Sequence, residues 1–202
     1  MRIVGGTAKG RRLYTIKGLL IRPTSDKVRE AIFNILGIDF HYKRVLDLFA
    51  GTGAMGIEAL SRGAESAAFI DNNASAIRII KKNLDICGLI ERDNVIKMDV
   101  IKALQPSTFM LGKGFDLIFI DPPYEAGLTG RVLEMIDKNK ILADGGIVVS
   151  EISKRTVGWA VPTKNIGNNK NGGHSPPYYR LCKFDTRQYG DTVVEFYKNK
   201  EG

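Results

Sequence analysis

The hydrophobic pattern of this 202-residue chain alternates between two periods. Short runs of apolar and β-branched residues, typical of buried strands, are separated by segments in which apolar residues recur every three or four positions, as they do in helices. This alternation predicts a parallel, doubly wound α/β sheet. Its strands are predicted at 45–49, 67–71, 95–99, 115–120 and 147–151, and its helices at 54–62, 73–86, 100–104 and 128–138.

The C-terminal part of the chain has a different pattern. Residues 179–184 and 192–197 predict two strands that are close enough in sequence to pair antiparallel at one edge of the sheet. Residues 163–177 precede them, are rich in Asn, Gly and Lys, and predict a flexible surface loop. We expect one domain, in which residues 1–23 form a basic N-terminal β-hairpin extension of a core at 24–202.

Positive charge is concentrated near the N-terminus. The chain carries 30 Lys and Arg against 22 Asp and Glu, a formal net charge of +8. In residues 1–29, eight of these cations accompany a single acid, Asp26. A solvated charged surface would explain such a run, but clustered cations also bind nucleic-acid phosphates. The candidate phosphate-binding residues are Arg2, Lys9, Arg11, Arg12 and Arg22.

Composition disfavours several protein classes. No apolar stretch approaches the roughly 18 residues of a membrane-spanning helix, and no signal-peptide pattern opens the chain, so we expect a cytoplasmic protein that does not bind membranes. Cys87 and Cys182 are too few for a disulfide framework or a zinc site, and His41 and His174 have no partners at metal-ligand spacing. The sequence therefore predicts no bound metal.

An Asp-Pro-Pro-Tyr motif directly follows the strand at 115–120. Asp121 supplies a carboxylate, and Pro122 and Pro123 form a stiff turn without N–H donors of its own. Asp121 and the Pro122 carbonyl can accept both N–H bonds of an exocyclic amine, and Tyr124 can stack on its ring at about 1–3 kcal/mol per base. A plain strand-ending turn is the alternative. The motif predicts a catalytic site for a planar amine.

A glycine turn follows the strand at 45–49. Gly51, Gly53 and Gly56 match the G-x-G-x-x-G pattern of dinucleotide-binding proteins, but Asp47 precedes them inside the strand. A carboxylate there repels a pyrophosphate and attracts a cation, and S-adenosylmethionine carries both a sulfonium and an ammonium. Gly51 and Gly53 would let the backbone approach this ligand closely. The turn therefore predicts S-adenosylmethionine as the cofactor.

Two further acids fit a nucleoside pocket. Asp71 ends the strand at 67–71, where a carboxylate can bind ribose hydroxyls, and Asp99 ends the strand at 95–99, beside the expected adenine amine. Either acid could instead be an ordinary helix cap or turn residue. Ligands bind at the carboxyl edge of open α/β sheets, so these positions are consistent with one site.

The combination of motifs resembles one family, the bacterial 16S ribosomal RNA guanine-N2 methyltransferases of the RsmD type. The resemblance extends from Arg2 to Tyr197. It rests on the segments Asp121–Tyr124, Asp47–Gly53, Arg22–Glu30, Leu60–Ala64 and Tyr189–Thr192. The chain departs from the family in two places: the loop at 163–177 is longer, and Asp71 replaces the Glu of many relatives.

The resemblance implies a Rossmann-like class I methyltransferase with a seven-stranded, mostly parallel sheet. It implies transfer of a methyl group from S-adenosylmethionine to the N2 amine of one guanine in small-subunit (16S) ribosomal RNA. Asp121 and the Pro122 carbonyl would bind the amine, and Tyr124 would hold the base. The partner would be ribosomal RNA or a small-subunit assembly particle, and the protein would act as a monomer without a metal.

Three other functions compete with this interpretation. A DNA adenine-N6 or cytosine-N4 amino-methyltransferase would share the core, but it needs a target-recognition domain for which 202 residues leave little room. A Rossmann oxidoreductase is opposed by Asp47 and leaves Asp-Pro-Pro-Tyr without a role. A non-catalytic RNA-binding protein would leave the amine pocket unexplained.

Overall fold

The computed structural model describes residues 1–15, 25–37, 40–106, 114–123, 127–153 and 180–200. These residues form five α-helices, a short 3-10 turn at Ile90–Arg92 and seven strands. The helices are α1 (Asp26–Ile35), α2 (Ala54–Ser61), α3 (Ala74–Cys87), α4 (Val100–Ala103) and α5 (Leu128–Lys138). The strands are β1 (Arg44–Leu48), β2 (Ser66–Asp71), β3 (Asp93–Lys97), β4 (Phe115–Ile120), β5 (Leu142–Ser153), β6 (Leu181–Tyr189) and β7 (Thr192–Asn199).

The strands form one sheet in the order β3-β2-β1-β4-β5-β7-β6. Strands β1 to β5 pair in parallel, whereas β7 is antiparallel to both of its neighbours, β5 and β6. This arrangement confirms the predicted doubly wound sheet with an antiparallel C-terminal hairpin. The strand order reverses between β1 and β4, which is where open α/β sheets bind their ligands.

Apolar side chains cover both faces of the sheet. On the first face, buried residues of α1, α2 and α3, such as Ile32, Ile57 and Ile80, pack on the strands. On the second face, α4 and α5 contribute residues such as Val100 and Ile136. Both faces of the sheet are therefore shielded from solvent, which explains the continuous apolar runs of the central strands.

Most element boundaries lie within two residues of their predicted positions, but β6 continues to Tyr189, five residues beyond its predicted end, because it pairs with β7 up to the turn. Strand β3 ends at Lys97, so the prediction that Asp99 ends this strand is wrong. Asp99 is the N-cap of α4, and its Oδ1 accepts a hydrogen bond from the Lys102 N–H at 3.0 Å. Capping competes with strand extension because a short acidic side chain can satisfy an unpaired helical N–H.

Strand β5 begins five residues before its predicted start, and it includes Gly145 and Gly146. The register with β4 shifts between Phe115 and Leu117, which accommodates this irregular stretch. A Cβ on Gly146 would lie 3.1 Å from the Asp116 carbonyl oxygen and 2.9 Å from the Leu142 side chain. Gly146 thus permits a close approach of strands within the sheet, and Gly145 supplies a left-handed backbone with a φ of 75°, so the two glycines lie in the strand instead of in a turn before it.

The N-terminal segment, residues 1–15, folds back on itself, and the rest of the extension predicted at 1–23 lies outside the described residues. Its pairing is one antiparallel bridge, Arg2 with Arg12, closed by a turn at 5–10. Ile3, Ala8 and Leu13 are buried in the core of the first face. Arg22, Tyr124 and the predicted loop at 163–177 lie outside the described residues. None of the helices in the described part of the chain has the length and apolar composition to cross a membrane.

Candidate active site

Four acids lie at the carboxyl ends of the neighbouring strands β2, β1, β4 and β5. In the sheet register, Asp47 is beside Phe69 and Phe119, and Phe119 is beside Val149. Asp71, Asp121 and Glu151 each come two residues after one of these partners. Because strand side chains alternate between faces, all three project to the first face, as Asp47 does. We call these four residues the acid row: Asp71, Asp47, Asp121 and Glu151.

Asp47 is the most deeply buried member of the acid row. Its Oδ2 accepts a hydrogen bond from the Gly56 N–H at 2.9 Å, which ties the carboxyl group to α2. A Cβ on Gly56 would lie 2.4 Å from the Phe69 ring, so only glycine allows this contact. Burial raises the pKa of Asp47 to about 7, opposed by the Gly56 hydrogen bond and helped by the charge of Asp71. A nearby cation would favour its ionised form.

The glycine turn at 49–53 adopts an unusual backbone conformation. Phe49, Gly51 and Gly53 have φ values of 60°, 55° and 75°, and left-handed backbone is rare for a residue such as Phe49. Such conformations cluster at ligand sites, where the surrounding structure maintains them. A Cβ on Gly51 would meet no atom closer than the Phe49 carbonyl oxygen at 3.9 Å. The backbone at Gly51 is therefore open to a ligand.

Asp71 holds the glycine turn in place. Its Oδ2 accepts a hydrogen bond from the Gly51 N–H at 2.8 Å, and its Oδ1 accepts one from the Asn73 N–H at 2.8 Å. The carboxylate thus lies beside the turn, as a ribose-binding acid requires. Asp99 caps α4 two residues after β3 and is exposed, so its proposed contact with adenine remains a prediction.

Asp121 follows directly on β4 at the centre of the acid row. Burial raises the pKa of its carboxyl group well above the ordinary value, and the charges of Glu151 and Asp47 raise it further. Pro122 is half-buried and Pro123 is exposed. The structure therefore brings together Asp47, Gly51, Asp71 and Asp121, which the sequence placed in one site.

Glu151 was missed by the sequence interpretation. It lies on β5, where Ser150 pairs with Ile120 of β4, so Glu151 lies beside Asp121. The signal was present in the sequence, because Glu151 ends the apolar run predicted as a strand at 147–151, as Asp71 ends the strand at 67–71. Its role was hidden because only the strand order makes β5 the neighbour of β4.

Four of the five candidate RNA-binding cations lie on the N-terminal segment, and the fifth, Arg22, lies outside the described residues. Arg2, Lys9, Arg11 and Arg12 are exposed, and the Arg2 side chain lies 3.7 Å from Asp26. The segment packs on the same face of the sheet as the acid row. The cations and the acids are therefore on one side of the molecule.

The strand order and the open glycine turn beside buried acids define a class I methyltransferase fold. The chain belongs to the family described as Conserved hypothetical protein 95, whose model matches residues 1–198. Its relatives include several bacterial proteins named ribosomal RNA small subunit methyltransferase D, which confirms the resemblance to the RsmD family.

Individual relatives support the match over most of the chain. A Bacillus subtilis protein named "Putative rRNA methyltransferase YlbH" is 41% identical over 169 residues, which are 81% of this chain and 91% of the relative. The Haemophilus influenzae ribosomal RNA small subunit methyltransferase D is 32% identical and covers 76% of this chain and 79% of its own length. A solved structure titled "Putative methyltransferase yhhF from Escherichia coli" has a TM-score of 0.79 at 26% identity, covering 100% of this chain and 99% of its own.

Proposed function

We propose that this protein transfers a methyl group from S-adenosylmethionine to the N2 amine of a guanine in small-subunit ribosomal RNA. The observation that carries the proposal is the pair of neighbouring carboxylates, Asp121 and Glu151, on β4 and β5 beside the switch point of a methyltransferase sheet. The relatives named as ribosomal RNA methyltransferases support the substrate class. The cytoplasmic location and the monomeric state stay predictions.

Residues near the glycine turn fit the cofactor. The buried carboxyl of Asp47 and the open backbone at Gly51 suit a cationic ligand, and Asp71 suits its ribose. When bound, S-adenosylmethionine supplies an electrophilic methyl group on a sulfonium. The negative charge of a dinucleotide pyrophosphate would be repelled by the carboxylates of the acid row, which disfavours the oxidoreductase alternative.

The two carboxylates at the amine site favour guanine over the other amino bases. Guanine presents an N1–H beside its N2 amine, so its edge offers adjacent N–H donors. Adenine and cytosine place a ring-nitrogen acceptor beside their amine, and a carboxylate there would face a lone pair. Asp121 and the Pro122 carbonyl would accept the two N2–H bonds, and Glu151 would accept the N1–H. This reading of a flipped-out base distinguishes the proposal from an adenine or cytosine methyltransferase.

The same contacts would assist methyl transfer. The lone pair of an aromatic amine is delocalised into its ring, which makes the amine a weak nucleophile. Hydrogen bonds from both N2–H groups to Asp121 and Pro122 favour a pyramidal nitrogen whose lone pair faces the methyl carbon. A new N–C bond forms as the S–C bond breaks, and the carboxylate of Asp121 can take the proton that the methylated nitrogen releases. Tyr124 would stack on the base, a role that stays a prediction.

The proposal is tested by analysing modified nucleosides in ribosomal RNA. We expect small-subunit RNA from cells without this protein to lack one N2-methylguanosine, detected by mass spectrometry of digested RNA. The wild-type gene should restore it, and a gene carrying Asp121→Ala should not. If the RNA from these cells instead lost an N6-methyladenosine or an N4-methylcytidine, the guanine assignment would be contradicted. If the modification of ribosomal RNA did not change at all, the proposed substrate would be contradicted.

The exposed cations of the N-terminal segment are expected to bind RNA phosphates. Replacing Lys9, Arg11 and Arg12 with Ala should weaken binding to small-subunit RNA. The dependence of log affinity on log salt should also flatten, by about 0.7–0.9 for each phosphate that the variant no longer binds. Titrations at several salt concentrations measure both effects. Affinity for S-adenosylmethionine without RNA should not change, since the variant keeps the acid row and the glycine turn.

A matched control removes the same charge from the opposite face of the sheet. Lys102, Arg131 and Lys138 are exposed on α4 and α5, which cover the second face. Their replacement with Ala should leave the affinity and its salt dependence unchanged. If both triple variants weaken RNA binding to the same extent, total charge governs the affinity, and the N-terminal segment has no special role.

A further inference from the structure

The N-terminal segment is attached to α2 by specific contacts. The Val4 N–H donates to the buried carboxylate of Glu58 at 2.9 Å. Ser61 accepts hydrogen bonds from the Ala8 N–H at 2.9 Å and, through its carbonyl, from the Thr7 N–H at 2.7 Å. A Cβ on Gly6 would lie 1.8 Å from the Ser61 carbonyl oxygen, so the segment approaches the helix as closely as its backbone allows.

Buried charges hold the same segment from a second direction. The side chain of Arg29 on α1 is fully buried, and its Nη2 donates to the carbonyl of Arg2 and to Asp26. The carboxylate of Glu58 forms ion pairs with two arginines: its Oε2 lies 3.4 Å from the Nε of Arg29, and its Oε1 lies 2.9 Å from the Nε of Arg62. A buried ion network of this kind is costly to disturb, because removing one partner leaves another charge buried. The position of the segment is therefore defined by the core of the protein.

Asn83 connects the end of this segment to the glycine turn. This residue is fully buried on α3, in a helix interior where Asn has low propensity. Its Oδ1 accepts from the Tyr14 N–H at 2.7 Å, and its Nδ2 donates to the Tyr14 carbonyl at 3.1 Å. The same Nδ2 donates to the carbonyl of Thr52 at 2.9 Å. Thr52 lies between Gly51 and Gly53, so the amide group of Asn83 contacts both the N-terminal segment and the glycine turn.

The amide group of Asn83 is matched to this task. An amide has one acceptor and two donors, and all three bonds here go to backbone groups of other elements. Asp would lack the donors, and an apolar residue would leave three part-buried backbone groups without these hydrogen bonds. The residue thus serves contacts between elements and not the formation of α3.

We propose that Asn83 is a positioning residue that couples RNA binding at the N-terminal segment to cofactor binding at the glycine turn. This inference rests on the proposed function. A ligand that restrains the glycine turn also restrains Thr52, and through Asn83 it restrains the Tyr14 end of the segment, which lies beyond the contacts with α2. The second ligand then meets an ordered site, so each ligand increases the affinity for the other. The two increases must be equal, because binding couplings are reciprocal.

The coupling is measured with the unreactive cofactor analogue sinefungin and small-subunit ribosomal RNA transcribed in vitro. In the wild-type protein, saturating sinefungin should increase RNA affinity by about fivefold or more, and saturating RNA should increase sinefungin affinity by the same factor. In Asn83→Asp and Asn83→Ala, this factor should fall towards one. The variant Asn139→Ala is the matched control, since Asn139 also donates to a backbone carbonyl, that of Leu104 at 2.7 Å, near the second face. It should keep the wild-type factor.

A second measurement does not depend on the variants folding. Hydrogen exchange should show slower exchange of the Tyr14 amide of wild-type protein when sinefungin binds, because this N–H is bonded to Asn83. A wild-type coupling factor of one, an unchanged Tyr14 amide, or a folded Asn83 variant with the wild-type factor would each overturn the inference. Failure of sinefungin to bind, or failure of both the naked RNA and a small-subunit assembly particle to bind, would instead contradict the proposed function, so the two failures are distinguishable.

Discussion

Replacing Asp121 with Ala is expected to lower the rate of methyl transfer about 100- to 1,000-fold, the usual effect of removing one positioned hydrogen-bonding group from an active site. The hydrogen bonds that this variant cannot make belong to the target amine, so the affinity for S-adenosylmethionine should remain within a few fold of the wild-type value. Single-turnover assays with labelled cofactor measure the first quantity, and calorimetry measures the second. A variant that retains most of its turnover would show that Asp121 only ends the strand.

The pH dependence of the wild-type reaction provides a sharper test of the same residue. Asp121 accepts hydrogen bonds most strongly when ionised, and its raised pKa moves the rising part of the pH–rate profile to higher pH. The neighbouring charge of Glu151 contributes to this shift. In Glu151→Gln the pKa of Asp121 should fall, so the rise in rate should move to lower pH. A profile that moves to higher pH, or does not move, would contradict the proposed pairing of the two acids.

Replacing Asp47 with Asn is expected to remove a pH dependence of cofactor binding. The pKa of Asp47 is about 7 in the protein without ligand, and a cationic cofactor favours its ionised form. Binding below that pH therefore releases a proton, and wild-type affinity should increase as the pH rises towards 7. At neutral pH we expect the variant to bind S-adenosylmethionine about 10- to 100-fold more weakly, consistent with the absence of one close charge pair. Calorimetry in buffers of different ionisation enthalpy counts the released protons.

The stability of the unliganded protein provides the control for Asp47. Its folded pKa of about 7 lies above the ordinary value of 3.8, so the folded state holds a proton that the unfolded state has released within this window. The free energy of unfolding should therefore fall as the pH rises from about 4 to about 7, by at most about 1.4 kcal/mol per unit. The side chain of the Asp47→Asn variant cannot titrate, so its denaturant unfolding should lack this part of the decrease. If the free energy of unfolding depended on pH in the same way in both proteins, another group would be responsible for the decrease.

The elements that follow from short-range pattern were predicted well. Strand β4 and helix α5 occur at their predicted residues, because an apolar run ending in Asp-Pro-Pro and an amphipathic repeat are both local properties. The glycine turn after β1 is likewise local, since the positive φ of Gly51 and Gly53 is a conformation that glycine adopts at little cost. Boundaries failed at Asp99 and at Gly145–Gly146, where a cap and an irregular pairing outweighed intrinsic preference.

The sequence by itself determined the identity of the chemical groups: a strand-ending Asp121, a buried Asp47 before flexible glycines, and a cationic N-terminal segment. Only the tertiary structure decided which of them meet. Glu151 lies beside Asp121 because β5 pairs with β4, and Asn83 reaches Thr52 because α3 packs against α2 and the segment. Both pairs join residues that are far apart in the chain. No local period encodes such pairs, since they depend on the strand order and on the burial of both faces of the sheet at once.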